Sequence, residues 1–132
     1  MNGVRSRSFR IPVPLDHSKP NGETVHIFVR ELVFEKDDHH RASLAPLLYL
    51  QGGPGFESPR PAFPLGGWMK EAVASGFRLL LLDQRGTGLS DAISPGSLLQ
   101  RFGEPATAGD VSDAVAEQQA DFMSHFRADS IV

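Results

Sequence analysis

Two stretches near the start of the chain alternate apolar and other residues in the manner of half-buried strands. Phe9 to Leu15 (FRIPVPL) is the first, and Pro12 and Pro14 confine it to a sheet edge because proline donates no ladder hydrogen bond. Thr24 to Phe34 is the second, with Val25, Ile27 and Val29 on its apolar side and Leu32 and Phe34 beyond them. Between them Asp16 to Gly22 (DHSKPNG) is dense in turn formers, and Asn21-Gly22 suits a hairpin tip, so the opening predicts an antiparallel hairpin. Glu35 to Ser43 (EKDDHHRAS) reads as a solvated loop. The pattern then changes to solid apolar runs, Leu47 to Leu50 and Phe77 to Leu82, each suited to a strand buried on both faces. Between these runs Trp68 to Ser75 predicts a short helix stopped by Gly76, with Trp68, Ala72 and Ser75 on one face and Trp68 in the core. Two such strands joined by a helix form a crossover unit and hence a parallel pair. Ile93 to Thr107 is rich in glycine and proline and reads as a long loop. From Asp110, a candidate N-cap, Val111, Ala114, Val115, Gln118, Phe122 and Phe126 recur at helical spacing.

Composition narrows the function classes. At 132 residues the chain suffices for one core and is too short for two ordinary domains. The apolar fraction of 40% and charged fraction of 22% describe a globular chain. A net charge of −3 gives no reason to expect nucleic acid or an acidic membrane surface as partner. The chain has no cysteine, which removes disulfides, thiolate metal sites and a cysteine nucleophile, and fits a reducing compartment. The arginines at 5, 7 and 10 precede no apolar h-region, and the run Leu79 to Leu82 is far too short to span a bilayer. The expected location is cytoplasmic. His39 and His40 are neighbours whose side chains on an extended chain would point apart, so no metal site is expected there.

The candidate chemistry lies just past the two solid apolar runs. Gln51-Gly52-Gly53-Pro54-Gly55 follows the first. Its glycines permit positive φ and close approach, and Pro54 stiffens the loop. Loops at the carboxyl ends of buried strands are where open α/β sheets place ligands, and exposed N–H groups of such a turn can face an oxygen that gains negative charge. Asp83-Gln84-Arg85-Gly86-Thr87-Gly88-Leu89-Ser90 follows the second run. It lacks the third glycine of a dinucleotide fingerprint. The expected role is structural, with Asp83 pairing to Arg85 to hold the turn, or the Arg85 fork bonding neighbouring backbone carbonyls.

LLYLQGGPGFES followed by LLLLDQRGTGLS resembles the front half of an α/β-hydrolase of the proline iminopeptidase type, among the serine peptidases that act as prolyl and tripeptidyl aminopeptidases. The family carries an HGGPG or QGGPG loop after one central strand and DQRGxGxS after the next; Gln51 matches the Gln form. Phe9 to Arg30 is similar to the opening hairpin of that branch, and His125 to Val132 to its stretch before the next helix. The resemblance implies that Gly53, with Gly52 beside it, supplies a backbone N–H of the oxyanion hole. It further implies that Pro54 and Gly55 shape the loop, that Gln51 is a substrate-binding or scaffold residue, and that Asp83, Gln84, Arg85 and Gly86 are scaffold for the active-site floor. No cofactor or metal is implied.

The nucleophile of that family lies in a G-x-S-x-G elbow, and no such pentapeptide occurs here. Ser90 and Ser97 each follow a glycine context without completing the motif, and His125 reads as a surface residue of an amphipathic helix. The expectation is a single incomplete α/β-hydrolase domain over residues 1–132: the N-terminal piece of a serine aminopeptidase, lacking the nucleophile strand, the rest of the triad and the helical cap. It is expected to be inactive alone, and to self-associate through an open apolar sheet edge. A fragment of an esterase or other small-molecule hydrolase, or a non-catalytic binding module, are the alternatives.

Overall fold

The computed structural model describes residues 3–53, 55–103 and 113–126. Pro54, residues 104–112 with the expected Asp110 cap and Val111, and the terminal Ile131-Val132 lie outside the described residues. Its centre is a four-stranded mixed sheet in the order β1-β2-β4-β3. Strand β1 (Val4–Pro14) and β2 (Thr24–Phe34) form the expected antiparallel hairpin, with Pro12 opposite His26 and Pro14 opposite Thr24. The prolines sit on the outer strand, where a missing N–H costs no ladder bond. The hairpin closes over residues 15–23, and Leu15 N–H donates to Glu23 O at 2.7 Å.

The two apolar runs become β3 (Pro46–Leu50) and β4 (Arg78–Asp83), paired in parallel as the crossover pattern requires, with Leu48 opposite Leu80. Strand β4 also pairs antiparallel with β2, which joins the hairpin to the parallel unit. Helix α1 (Gly67–Ala74) lies in the crossover and buries Met69, Ala72 and Val73. It ends in a Schellman motif, with Gly76 at φ 84°, Gly76 N–H to Val73 O at 3.1 Å and Phe77 N–H to Ala72 O at 3.3 Å. The core is the layer between this helix and one sheet face, where Leu32 and Leu79 are completely buried and Leu81 and Val73 nearly so.

Several expectations change. Strand β3 is the edge of the sheet, and Leu47, Leu48 and Leu50 are 37%, 50% and 57% exposed rather than covered on both faces. Strand β4 is fully buried only on the helix side, where Leu79 and Leu81 point; Leu80 and Leu82 are half-buried. Trp68 is not core: it is 45% exposed and stacks on Tyr49 with ring centroids 4.8 Å apart. Strand β2 buries both faces, since Phe28 and Leu32 join Val25, Ile27 and Val29 inside.

Glu35–Ser43 is solvated as expected, with no buried residue, but it coils into a 3-10 helix. That segment is tied to the sheet by charge. Arg7 pairs with Asp38 at 2.6 Å, and the buried Glu31 carboxylate lies 3.6 Å from Arg7, 3.8 Å from Arg41 and 3.6 Å from Arg78. Inside it His39 and His40 meet edge to face, with His40 Nδ1 3.0 Å from His39 Nε2, because the coiled backbone removes the alternation that would separate them. The segment read as a loop from Ile93 contains helix α2 (Pro95–Phe102), which Ser94 and Ser97 cap reciprocally with Pro95 in its first turn. Helix α3 (Asp113–Ser124) follows the helical spacing seen in the sequence, and Phe122 meets Phe102 of α2 edge to face at 5.8 Å.

Candidate active-site floor

The glycine loop leaves the carboxyl end of β3. The Tyr49 hydroxyl donates to Gln51 Oε1 at 2.9 Å, which holds the Gln51 amide back against the strand. Gly53 and Gly55 have φ of 135° and 122°, values that a residue with a Cβ rarely adopts. Gly52, Gly53 and Gly55 are exposed, and among the described residues no hydrogen bond occupies the Gly53 amide. The loop returns at Ser58, which is buried: its N–H donates to Asp83 Oδ1 at 2.9 Å and its hydroxyl to Leu82 O at 2.5 Å.

The second loop leaves the adjacent end of β4. Asp83 does not pair with Arg85. Its second carboxylate oxygen accepts the Leu89 N–H at 2.9 Å, so the carboxylate is satisfied by one backbone amide from each loop. Arg85 is 5% exposed and spends its fork on main chain, donating to Leu15 O and Pro14 O at 2.7 Å each. The same guanidinium lies 3.0 Å from His17 Nε2. Burial lowers the Arg85 pKa below its ordinary value. Of the two roles read from sequence for Arg85, carbonyl bonding is the one realised, because the hairpin end presents acceptors that the strand end of Asp83 does not.

The rest of the turn is equally committed to structure. Thr87 Oγ1 donates to Gln84 O at 2.9 Å. Ser90 Oγ donates to Asp83 O at 2.5 Å and accepts the Phe28 N–H at 2.8 Å. Asp91 accepts the His26 N–H at 2.9 Å, lies 3.2 Å from His26 Nδ1 and accepts from Arg10 at 2.6 Å. Burial raises the Asp91 pKa, but the His26 hydrogen bonds and the Arg10 charge outweigh it, leaving the group below its ordinary value. The histidine and carboxylate here resemble half of a catalytic relay, yet Asp91 is shared with Arg10 and the β2 main chain, which is the work of a strut.

A cleft of about 180 Å³ lies between the two loops, lined by Gly55, Gln84, Arg85, Gly86 and Thr87 with Ile93 and Phe126. It collects one residue of the glycine loop and three of the scaffold positions named from the sequence. Gln84 Oε1 is buried with no hydrogen-bond partner among the described residues, a costly state for an amide oxygen. His125 is partly covered, lies 3.9 Å from Asp121 and does not line this cleft. Among the described residues no group of three or more His, Cys, Asp or Glu could hold a metal ion, and no helix is long and apolar enough to cross a membrane.

The two strings read from the sequence end on Ser58 and Ser90 without assigning either its bonds in this floor, and Asp91, His17 and His26 were missed. Asp91 could have been noticed for directly following the glycine-spaced turn that Ser90 closes. Nothing local marks the contacts of Ser58, His17 or His26, whose partners are 24, 68 and 65 residues away.

No family model matches the chain. It is 44% identical to the proline iminopeptidase of Aeromonas sobria over 133 aligned positions, covering the whole of this chain and 27% of that protein. It is 39% identical to a proline iminopeptidase of Aspergillus aculeatus over 130 positions, which is 97% of this chain and 25% of the relative. The chain is therefore homologous along its whole length to proline iminopeptidases and spans about a quarter of the length of those it matches.

Proposed function

We propose that this chain supplies the oxyanion-hole portion of a serine aminopeptidase that releases N-terminal residues, proline foremost, from peptides. The observation that carries the reading is the glycine loop: Gly53 at positive φ, its amide bonded to nothing among the described residues, follows the end of a parallel strand whose neighbour leads into the Asp83–Ser90 turn. In acyl transfer the scissile carbonyl oxygen becomes an oxyanion as the nucleophile attacks. A fixed backbone N–H aimed at that oxygen stabilises the transition state and is worth about 10²- to 10³-fold in kcat. Gln51, Pro54 and Gly55 set the loop's shape, and Asp83, Gln84, Arg85 and Gly86 form the floor beneath it.

An oxyanion donor has no attacking group of its own. The sequence lacks the G-x-S-x-G elbow, and the hydroxyls of Ser58 and Ser90 are spent on main-chain carbonyls. The 132 residues by themselves are inactive on this reading, and the serine, its base and that base's orienter come from the remainder of an enzyme of the relatives' length. The exposed β3 edge supports association through that strand, with a second copy when nothing else pairs with it.

The test is a chimera in which this chain replaces the matching quarter of the Aeromonas sobria relative. The expected result is release of proline from a prolyl reporter, sensitive to a serine-directed phosphonate, with none from the 132 residues alone. A folded chimera that hydrolyses simple esters but no aminoacyl amide would replace the peptidase reading with that of a small-molecule hydrolase. Release by the isolated chain would refute the division of labour.

A further inference from the structure

The two loops of the floor leave neighbouring strands, and a single carboxylate joins them. Asp83 is 4% exposed, the last residue of β4, and no cation lies within 4.0 Å of it among the described residues. Its oxygens are divided: Oδ1 takes the Ser58 amide where the glycine loop ends, and Oδ2 takes the Leu89 amide in the following turn, both at 2.9 Å. Hydrogen bonds to an ionised acceptor are roughly twice as strong as neutral ones, and a buried carboxylate lacking a cation depends on them. The Ser58 hydroxyl on Leu82 O and the Ser90 hydroxyl on Asp83 O, each at 2.5 Å, fix the same strand end from either side. Gly88, at φ 54°, leaves the space the carboxylate fills; a Cβ there would run into Asp83.

We infer that Asp83, seated by Ser58, is a positioning residue that locks the glycine loop and the 84–90 turn into one unit, so that the Gly53 amide, two residues before the cleft-lining Gly55, holds a fixed place. The inference rests on reading Gly53 as an oxyanion donor, but the lock itself is a property of this chain. Both loops depend on one charged acceptor, so neutralising it releases them together while the α1 core stays intact. Asparagine is the informative replacement. Its single amide oxygen can serve only one of the two N–H groups at a time while its NH2 faces the other, so both hydrogen bonds weaken and the link between loops is broken with little change of volume.

The experiment is NMR on the 132-residue chain without substrate. In the wild type, trans-hydrogen-bond couplings are expected from the Ser58 and Leu89 amide nitrogens to the same Asp83 carboxylate carbon. In Asp83→Asn, exchange of the Ser58 and Leu89 amides should quicken together by about tenfold or more, the equivalent of one lost hydrogen bond, and the chemical shifts of the exposed Gly53 and Gly55 amides should move with them. The Leu79 and Leu81 amides should be unchanged. Couplings at only one of the two amides, or loops that loosen separately, overturn the inference. If Asp83→Asn fails to fold, the wild-type couplings decide. In the proline-releasing chimera the same substitution should lower kcat by about tenfold with KM held, as displacement of a donor from its working position does. A chimera inactive from the outset counts against the peptidase reading and leaves the lock standing, whereas missing couplings remove the lock and leave that reading standing.

Discussion

Replacing Gly88 by alanine tests the floor at its tightest point. The residue sits at φ 54°, where an L side chain costs about 1–2 kcal/mol. The added Cβ would also lie only 2.6 Å from Asp83 Cγ and 2.7 Å from Glu57 Cβ, so one neighbour must move. Glu57 Cβ is bonded to the loop main chain and can shift only with it. Asp83 cannot do so without stretching the bonds to Ser58 and Leu89, each a charged hydrogen bond worth about 1.5–3 kcal/mol. Backbone strain with one such bond lost sums to about 2.5–5 kcal/mol, a large share of the 5–15 kcal/mol typical of a domain. Gly86→Ala is the matched control. It carries a similar positive φ of 77°, but its Cβ would meet the Phe126 ring at 3.3 Å, a contact that yields by a few tenths of an ångström. Urea unfolding followed by circular dichroism should place Gly88→Ala at least about 1.5 kcal/mol below Gly86→Ala, the value of one charged hydrogen bond. Equal losses in the two variants would show that the Asp83 carboxylate does not confine position 88.

Further outcomes follow from the same geometry. Arg85→Met leaves the Pro14 and Leu15 carbonyls without their donor and should cost about 2–4 kcal/mol in urea unfolding, while Arg85→Lys, with no fork, should recover less than half of it. The Asp91 carboxyl has a folded-state pKa below the unfolded value of about 3.9, so its contribution is fully present above that value and is lost as pH falls through the lower, folded one. The stability gap between wild type and Asp91→Asn should therefore close as pH falls below about 3.9; a gap that widens there would reverse the sign argued here. Leu48→Lys puts a charge on the exposed β3 edge and should raise the concentration at which the chain self-associates in sedimentation velocity. No change would assign any association to another surface.

The sequence by itself determined the elements whose signal is local. Alternation in Thr24–Phe34 defined β2 to the residue, Gly76 stopped α1 because only a residue free of Cβ sits easily at φ 84°, and two solid apolar runs about a helix implied a parallel pair. The two glycine-rich strings after those runs marked the candidate floor, since special backbone conformations are written in residue type. Tertiary structure decided what depends on neighbours. Apolar content says that a strand wants cover, not which strands flank it, so β3 read as buried and lies at an open edge. Trp68 read as core by helical spacing, but that rotation faces Tyr49 at the margin of the sheet. Ile93 onward read as loop because Pro95 and Gly96 were counted as breakers, whereas the Ser94–Ser97 box makes Pro95 part of a helix start. Asp83 read as the partner of Arg85 because two opposite charges lay two residues apart. Instead each serves backbone groups brought in from elsewhere: Asp83 the Ser58 and Leu89 amides, Arg85 the hairpin carbonyls some 70 residues upstream. Buried charges take the partners that folding delivers to them, and sequence separation carries no record of that delivery.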